Sequence, residues 1–111
     1  MNKDWSGMTR DLSALLREMR GGAPEVMKGF SGMAQAALQT KALDTKTKEL
    51  IALGIAHITQ CPWCIDAHVK RAEEAGATEQ ELAEVIFVAM AMAAGAAWSH
   101  GGLMLQCQDH Q

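Results

Sequence analysis

Apolar and polar positions recur along almost the whole chain at helical spacing, and alternating strand-like runs are lacking. Leu12, Leu15, Leu16 and Met19 form one stripe on a first helix predicted from Asp4 to Arg20, which Gly21–Gly22 stops. Pro24 suits the first turn of a second helix, because that turn does not need its missing N–H. Val26, Phe30, Met33, Ala37 and Leu38 then recur along one side. Thr40 to Leu43 reads as a connection, and Asp44 or Thr45 can cap a third helix over about 45–59. Leu50, Leu53, Ile55 and Ile58 supply much of its apolar surface. Pro62 opens a fourth helix, since a proline ring is tolerated only in the first turn. Cys61 therefore falls at its N-cap or first turn, with Cys64 in the same turn. Gly76 closes this helix near Ala75, and TEQE at 78–81 has the form of a capping box. A last long helix carries Leu82, Val85, Ile86, Ala89 and Ala93, and Gly101–Gly102 is expected to end or bend it. The fold class is all-α, a compact domain of five or six helices.

Composition narrows the function. With 111 residues the chain suits one domain, and no repeat, linker or low-complexity segment divides it. Hydrophobic residues make up 49% and charged ones 21%, which favours a folded domain over disorder. So short and apolar a chain can also bury surface against copies of itself. The net charge of −3, without a basic run, gives nucleic-acid binding no support. MNKDWSGM carries no apolar core like that of a signal peptide. The run VIFVAMAMAAGAAW at 85–98 falls short of the roughly 20 residues of a membrane span. Its span AMAAGAAW permits close helix approach in the core or at a subunit interface, and Met90, Met92 and Met104 suit helical packing. Three cysteines, two of them in a local CxxC, fit a reducing compartment, so a cytoplasmic location is expected.

The chemistry gathers at CPWCIDAH, residues 61–68. Cysteines three apart on a first helical turn can close a disulfide. Free N–H groups and positive potential at the helix start favour a thiolate over a thiol. His68 follows Cys64 by four residues and shares its side of the helix. Glu49 lies on the helix that runs directly into the cysteine turn, where its carboxylate can reach the same cleft. A base, a relay, a resolving thiol and an attacking thiol would then be Glu49, His68, Cys61 and Cys64. Proximity to His68 argues for Cys64 as the attacking thiol, whereas the N-cap position makes Cys61 the more exposed. The residues alone leave three readings open: a redox dithiol, a mixed zinc site of Cys61, Cys64, His68 and His57, and structural thiols. The zinc reading requires the helix start to deform around the ion. Cys107 and His110 offer a further pair but read more simply as tail residues. Plainer roles exist for the others too: Glu49 against the helix dipole, His68 and His57 as satisfied core histidines, Trp63 as packing and Asp66 as a solvated residue.

The segment ELIALGIAHITQCPWCIDAH at 49–68 resembles the carboxymuconolactone decarboxylase superfamily, on its alkylhydroperoxidase AhpD-like side. That pattern has a glutamate, a CxxC twelve residues later and a histidine four after the second cysteine, matching Glu49, Cys61, Cys64 and His68. LDTKTKELIAL before it and GATEQELAEVIFVA after it are similar as well, so the resemblance runs from Pro24 to the end of the last helix. It implies an N-terminal helical segment at 1–23, an AhpD-like domain at 24–106 and a tail at 107–111. It implies subunits assembled as homo-trimers or homo-hexamers and a dithiol peroxidase or disulfide oxidoreductase with no bound cofactor. In that scheme Cys64 attacks the peroxide, Cys61 resolves it to a disulfide, and Glu49 with His68 carries the proton. A lipoyl group, or a lipoylated or dithiol protein, regenerates the pair. Non-redox decarboxylase-like chemistry and a zinc-binding structural role are the alternatives, although true decarboxylases generally lack the cysteine pair. One departure stands out: the peroxidase type has a histidine just before the second cysteine, where this chain has Trp63. His57 is the candidate to compensate.

Overall fold

A computed structural model of the chain describes residues 5–109. Five helices follow one another: α1 (Trp5–Arg20), α2 (Pro24–Leu38), α3 (Thr45–Thr59), α4 (Pro62–Glu74) and α5 (Glu79–Asp109). The predicted start of the first helix, Asp4, lies outside the described residues.

Local chemistry sets the boundaries. Asp44 is in extended conformation at the N-cap of α3, where its carboxylate accepts from Thr47 N–H at 2.8 Å. That bond, aided by nearby Lys46, holds the Asp44 carboxyl below its ordinary range. At the start of α5, Thr78 N–H donates to Glu81 Oε1 at 2.9 Å and Glu81 N–H donates to Thr78 Oγ1 at 3.1 Å. This is the reciprocal capping box foreseen in TEQE. Gln60 ends α3 in the left-handed region, at φ 56°. Its N–H and that of Cys61 both return to Ala56 O, so the chain reverses between α3 and α4 in two residues. Gly76, at φ 98°, makes the corresponding reversal after α4.

Helix α3 is the centre. It packs against α4 on one side and the first half of α5 on another, while α1 rests on α4 and α2 touches α3. Leu53, Ala56, Ala72 and Ala89 form the buried apolar core, and the carboxylate-bearing Glu49 is buried among them. Small residues let the helices approach: a Cβ placed on Gly54 would lie 3.6 Å from Val85 on α5. Lys46 and Glu81 join the starts of α3 and α5 at 2.9 Å. Their mutual hydrogen bond raises the lysine pKa and lowers that of the glutamate.

Three expectations change. Gly101–Gly102 neither ends nor bends α5 into a separate element; the helix runs through to Asp109. Glycine costs about 1 kcal/mol relative to alanine at each interior position, and the hydrogen-bonded turns on both sides outweigh it. The lengthened helix, taken over Glu79–Gln108, has an 18-residue window of mean hydropathy 1.7, so by length and composition it meets the requirement of a membrane span. The stripes on the first two helices also differ from a core: Leu12, Leu15, Met19, Val26, Phe30 and Met33 are exposed, as are Met90, Met92 and Met104. The chain has helices enough to make these faces but not enough mass to cover them. A 12.0 kDa chain folded to ordinary density exposes about 6,000 Å², whereas this one exposes 8698 Å². Its radius of gyration is 18.0 Å, against about 13 Å for a domain of this length.

Candidate dithiol site

The tight α3–α4 turn brings three elements of chemistry together. Cys61 is the N-cap of α4, Pro62 fills its first position without leaving a donor unpaired, and Cys64 stands one turn in. A disulfide joins Cys61 and Cys64, whose Cα atoms are 5.2 Å apart. Cys64 N–H donates to Cys61 Sγ at 3.2 Å, so the sulfur takes the place of the usual capping oxygen. With the disulfide open, the same donor and the positive end of α4 would stabilise a thiolate on Cys61.

One turn further along α4, His68 Nδ1 meets Glu49 Oε2 at 2.6 Å, a contact between α4 and α3. Glu49 is only 3% exposed, and a buried carboxyl requires such a partner. When the carboxylate accepts from Nδ1–H, the tautomer is set and Nε2 is left to exchange a proton with another group. The buried acid thus orients the imidazole as well as charging its surroundings. Among the buried described residues Glu49 alone is charged or polar, and no buried side-chain N or O atom among them lacks a partner.

The remaining sequence candidates are dispersed. His57 Nδ1 bonds to Leu53 O at 2.8 Å, a contact within α3. Asp66 pairs with Lys70 at 3.0 Å on the surface of α4. Cys107 is a free, exposed thiol near the end of α5, and His110 lies outside the described residues. No group of three or more His, Cys, Asp or Glu residues among the described ones is placed to hold a metal ion, so the zinc set of Cys61, Cys64, His68 and His57 is not assembled. Trp63 does more than pack. Its indole Nε1–H donates to Ser13 Oγ at 3.0 Å, tying α4 to α1. Ser13 escapes a reading by motif, being one polar residue between Leu12 and Leu16, and only its long-range contact singles it out.

A second concave feature lies away from the dithiol. Between α3 and α5 runs an apolar groove with a cavity volume of about 580 Å³, lined by residues including Ile51, Ile55, Ile58, Val88 and Met92. None of Glu49, Cys61, Cys64 or His68 lines it.

Comparison with known proteins accords with this arrangement. The chain is 42% identical over 97 residues to protein 4 of the cox locus of Paracoccus denitrificans, covering 87% of each. A carboxymuconolactone decarboxylase family protein from Legionella pneumophila has a similar solved structure, with a TM-score of 0.75, 43% identity, and coverage of 82% of this chain and 81% of that one. A protein from Methanobacterium thermoautotrophicum superposes with a TM-score of 0.72 at 31% identity, covering 78% of this chain and 97% of its own. Residues 24–103 match the carboxymuconolactone decarboxylase family, a span that takes in α2, α3, α4, most of α5, the CxxC turn and the buried acid and leaves α1 outside. The chain therefore belongs to the carboxymuconolactone decarboxylase family, within the superfamily that includes the AhpD-like proteins.

Proposed function

We propose that the protein is a dithiol oxidoreductase of the alkylhydroperoxidase type, reducing a peroxide or a small disulfide with Cys64 and Cys61. The observation that carries this reading is the closed Cys61–Cys64 pair on the same helix as a histidine that a buried glutamate orients. Cys64 loses its proton to the His68–Glu49 pair and attacks the peroxide O–O bond. The bond breaks, one oxygen stays on Cys64 as a sulfenic acid, and the other leaves as an alcohol or water after taking a proton from the pair. Cys61, activated by the Cys64 N–H and the helix start, attacks the Cys64 sulfur. The disulfide forms and water leaves. A dithiol, such as a lipoyl group or a dithiol protein, then gives two electrons and two protons and becomes a disulfide itself. Trp63, in place of the peroxidase-type histidine, brings no proton-transfer group to the turn, which shifts the preferred substrate toward disulfides.

The working form is a homo-oligomer in the cytoplasm, a trimer or a hexamer, built on the AhpD-like region at 24–106. Support comes from the chain's own surface, which exceeds that of a compact monomer by about 2,700 Å². Interfaces of permanent assemblies bury areas of this order. The α3–α5 groove and the exposed faces of α2 and α5 are the surfaces that copies would cover, which gives α5 a partner other than lipid.

Brief peroxide treatment followed by mass spectrometry tests the chemistry. Cys61→Ser should accumulate a sulfenic acid on Cys64, and Cys64→Ser should neither form it nor turn over. Thiols inert toward both peroxides and disulfides, whatever dithiol donor is supplied, would overturn the reading.

A further inference from the structure

We propose that Ser13 and Trp63 form a positioning pair that sets the reduction potential of the Cys61–Cys64 couple, an inference that rests on the dithiol function above. Pro62 and Trp63 are the two residues enclosed by the Cys61–Cys64 bond. The backbone of Trp63 is therefore part of the ring that opens on reduction. Its indole N–H donates to Ser13 Oγ at 3.0 Å, across fifty positions of sequence. Ser13 stands on α1, outside the segment 24–103 that matches the family. Helix α1 rests on α4 through a face that includes the half-buried Ser13 and Leu16, while Leu12, Leu15 and Met19 face away, exposed. An element from outside the shared core is thus hydrogen-bonded to the side chain of a residue whose backbone lies in the redox ring.

The two redox states do not hold Trp63 equally. In the disulfide the ring restricts the backbone of Pro62 and Trp63, so placing the indole against Ser13 costs little further ordering. Reduction breaks the S–S bond. A dithiol reductant gives two electrons and two protons, both cysteines become thiols, and the reductant closes its own disulfide. The Cys61 thiol then releases its proton to solvent as the helix start stabilises the thiolate. The freed turn has more conformations to lose when Trp63 docks on α1. The Ser13–Trp63 bond is consequently stronger in the disulfide form, and by linkage it favours that form. Ser13 never touches the sulfurs; it acts through Trp63.

The test is a redox titration of the full chain against dithiothreitol buffers, read by thiol alkylation and mass spectrometry. Ser13→Ala should shift the equilibrium toward the dithiol by at most about three- to tenfold, the worth of one hydrogen bond lost entirely on reduction. For a two-electron couple this is about 15 to 30 mV toward a higher potential. Trp63→Phe should shift it in the same direction, and the double variant no further than the larger single one. Ser13→Thr, which keeps the hydroxyl, should restore the wild-type value. Hydrogen exchange over α1 should be faster in the reduced protein than in the oxidised one. A merely structural strut would move the unfolding temperature and leave the potential alone. Unshifted potentials in Ser13→Ala and Trp63→Phe, or α1 exchange that ignores the redox state, would overturn the proposal. If the wild-type pair does not cycle at all, the dithiol function falls and this inference with it. Normal cycling with unshifted variants removes only the role of the pair.

Discussion

Helix α3 carries two faces of identical spacing and opposite fate. Glu49, Leu53 and Ala56 form one, and Ile51, Ile55 and Ile58 form the other, each at positions i, i+4 and i+7. The first face contains a carboxylate and is buried; the second is wholly aliphatic and exposed. A rule that puts apolar residues inside would assign them the wrong way round. Glu49 is interior because α4 supplies His68 to meet it at 2.6 Å and because Leu53 and Ala56 beside it hold the helices together. The isoleucines are outside because nothing among the described residues packs over the groove between α3 and α5. Burial is thus decided by what lies opposite a face. The buried face is where the chemistry is proposed to take place, and the exposed one is where a second copy is proposed to sit.

The largest expected effect breaks the buried face. Glu49→Gln keeps the shape but removes the base, and turnover should fall by about 10²- to 10⁴-fold, the usual contribution of a general base. His68→Gln should cost a similar factor, and the double variant little more, since the two act as a unit. Steady-state kinetics would check this, with alkylation of the reduced cysteines confirming that both thiols remain present. Independent losses that multiply in the double variant would show that the pair does not share one proton path.

Stability separates the two faces next. Leu53→Ala should destabilise the protein by about 2–5 kcal/mol through a lost side chain and the cavity left behind, at every protein concentration. Ile55→Ala should leave the isolated chain's stability nearly unchanged and weaken self-association by about tenfold or more, from the apolar area no longer buried between copies. Thermal unfolding over a range of concentrations, with light scattering for the assembly size, distinguishes these outcomes. Equal and concentration-independent losses would mean that Ile55 is not at an interface.

The smallest effect concerns the start of the helix that carries both faces. The Asp44 carboxyl is held below its ordinary range chiefly by the Thr47 N–H. Its contribution to stability is therefore complete above the unfolded-state value of about 3.9 and is lost as the pH falls through the lower folded-state value. Acid titration of stability should show this loss in the wild type and a shallower one in Asp44→Asn, which caps without titrating.

Much of this was legible in the chain itself. Helical spacing, Pro24 and Pro62 at helix starts, Asp44 and the TEQE box delimit the helices because these are local effects acting within four or five residues. Cys61, Cys64 and His68 lie on one helical turn and the next, so their proximity also follows from local geometry. Glu49 needed the two-residue reversal at Gln60–Cys61 to come near, and the family pattern marked it where periodicity alone did not. The course of α5 through Gly101–Gly102 was not legible, because glycine punctuation is a weak preference that a long hydrogen-bonded helix overrides. Nor was the Ser13–Trp63 bond, which joins Trp63 to a serine that no motif marks, fifty residues away.

The sequence by itself determined the all-α class, the helix caps and the placement of a dithiol at a helix start, because each depends on interactions between near neighbours. Only the tertiary structure decided which face of α3 is interior, that His68 closes on Glu49, and that α1 reaches the cysteine turn through Trp63. Those outcomes depend on which helices lie opposite one another, and apolar spacing repeats on every side of this chain without saying which side is covered.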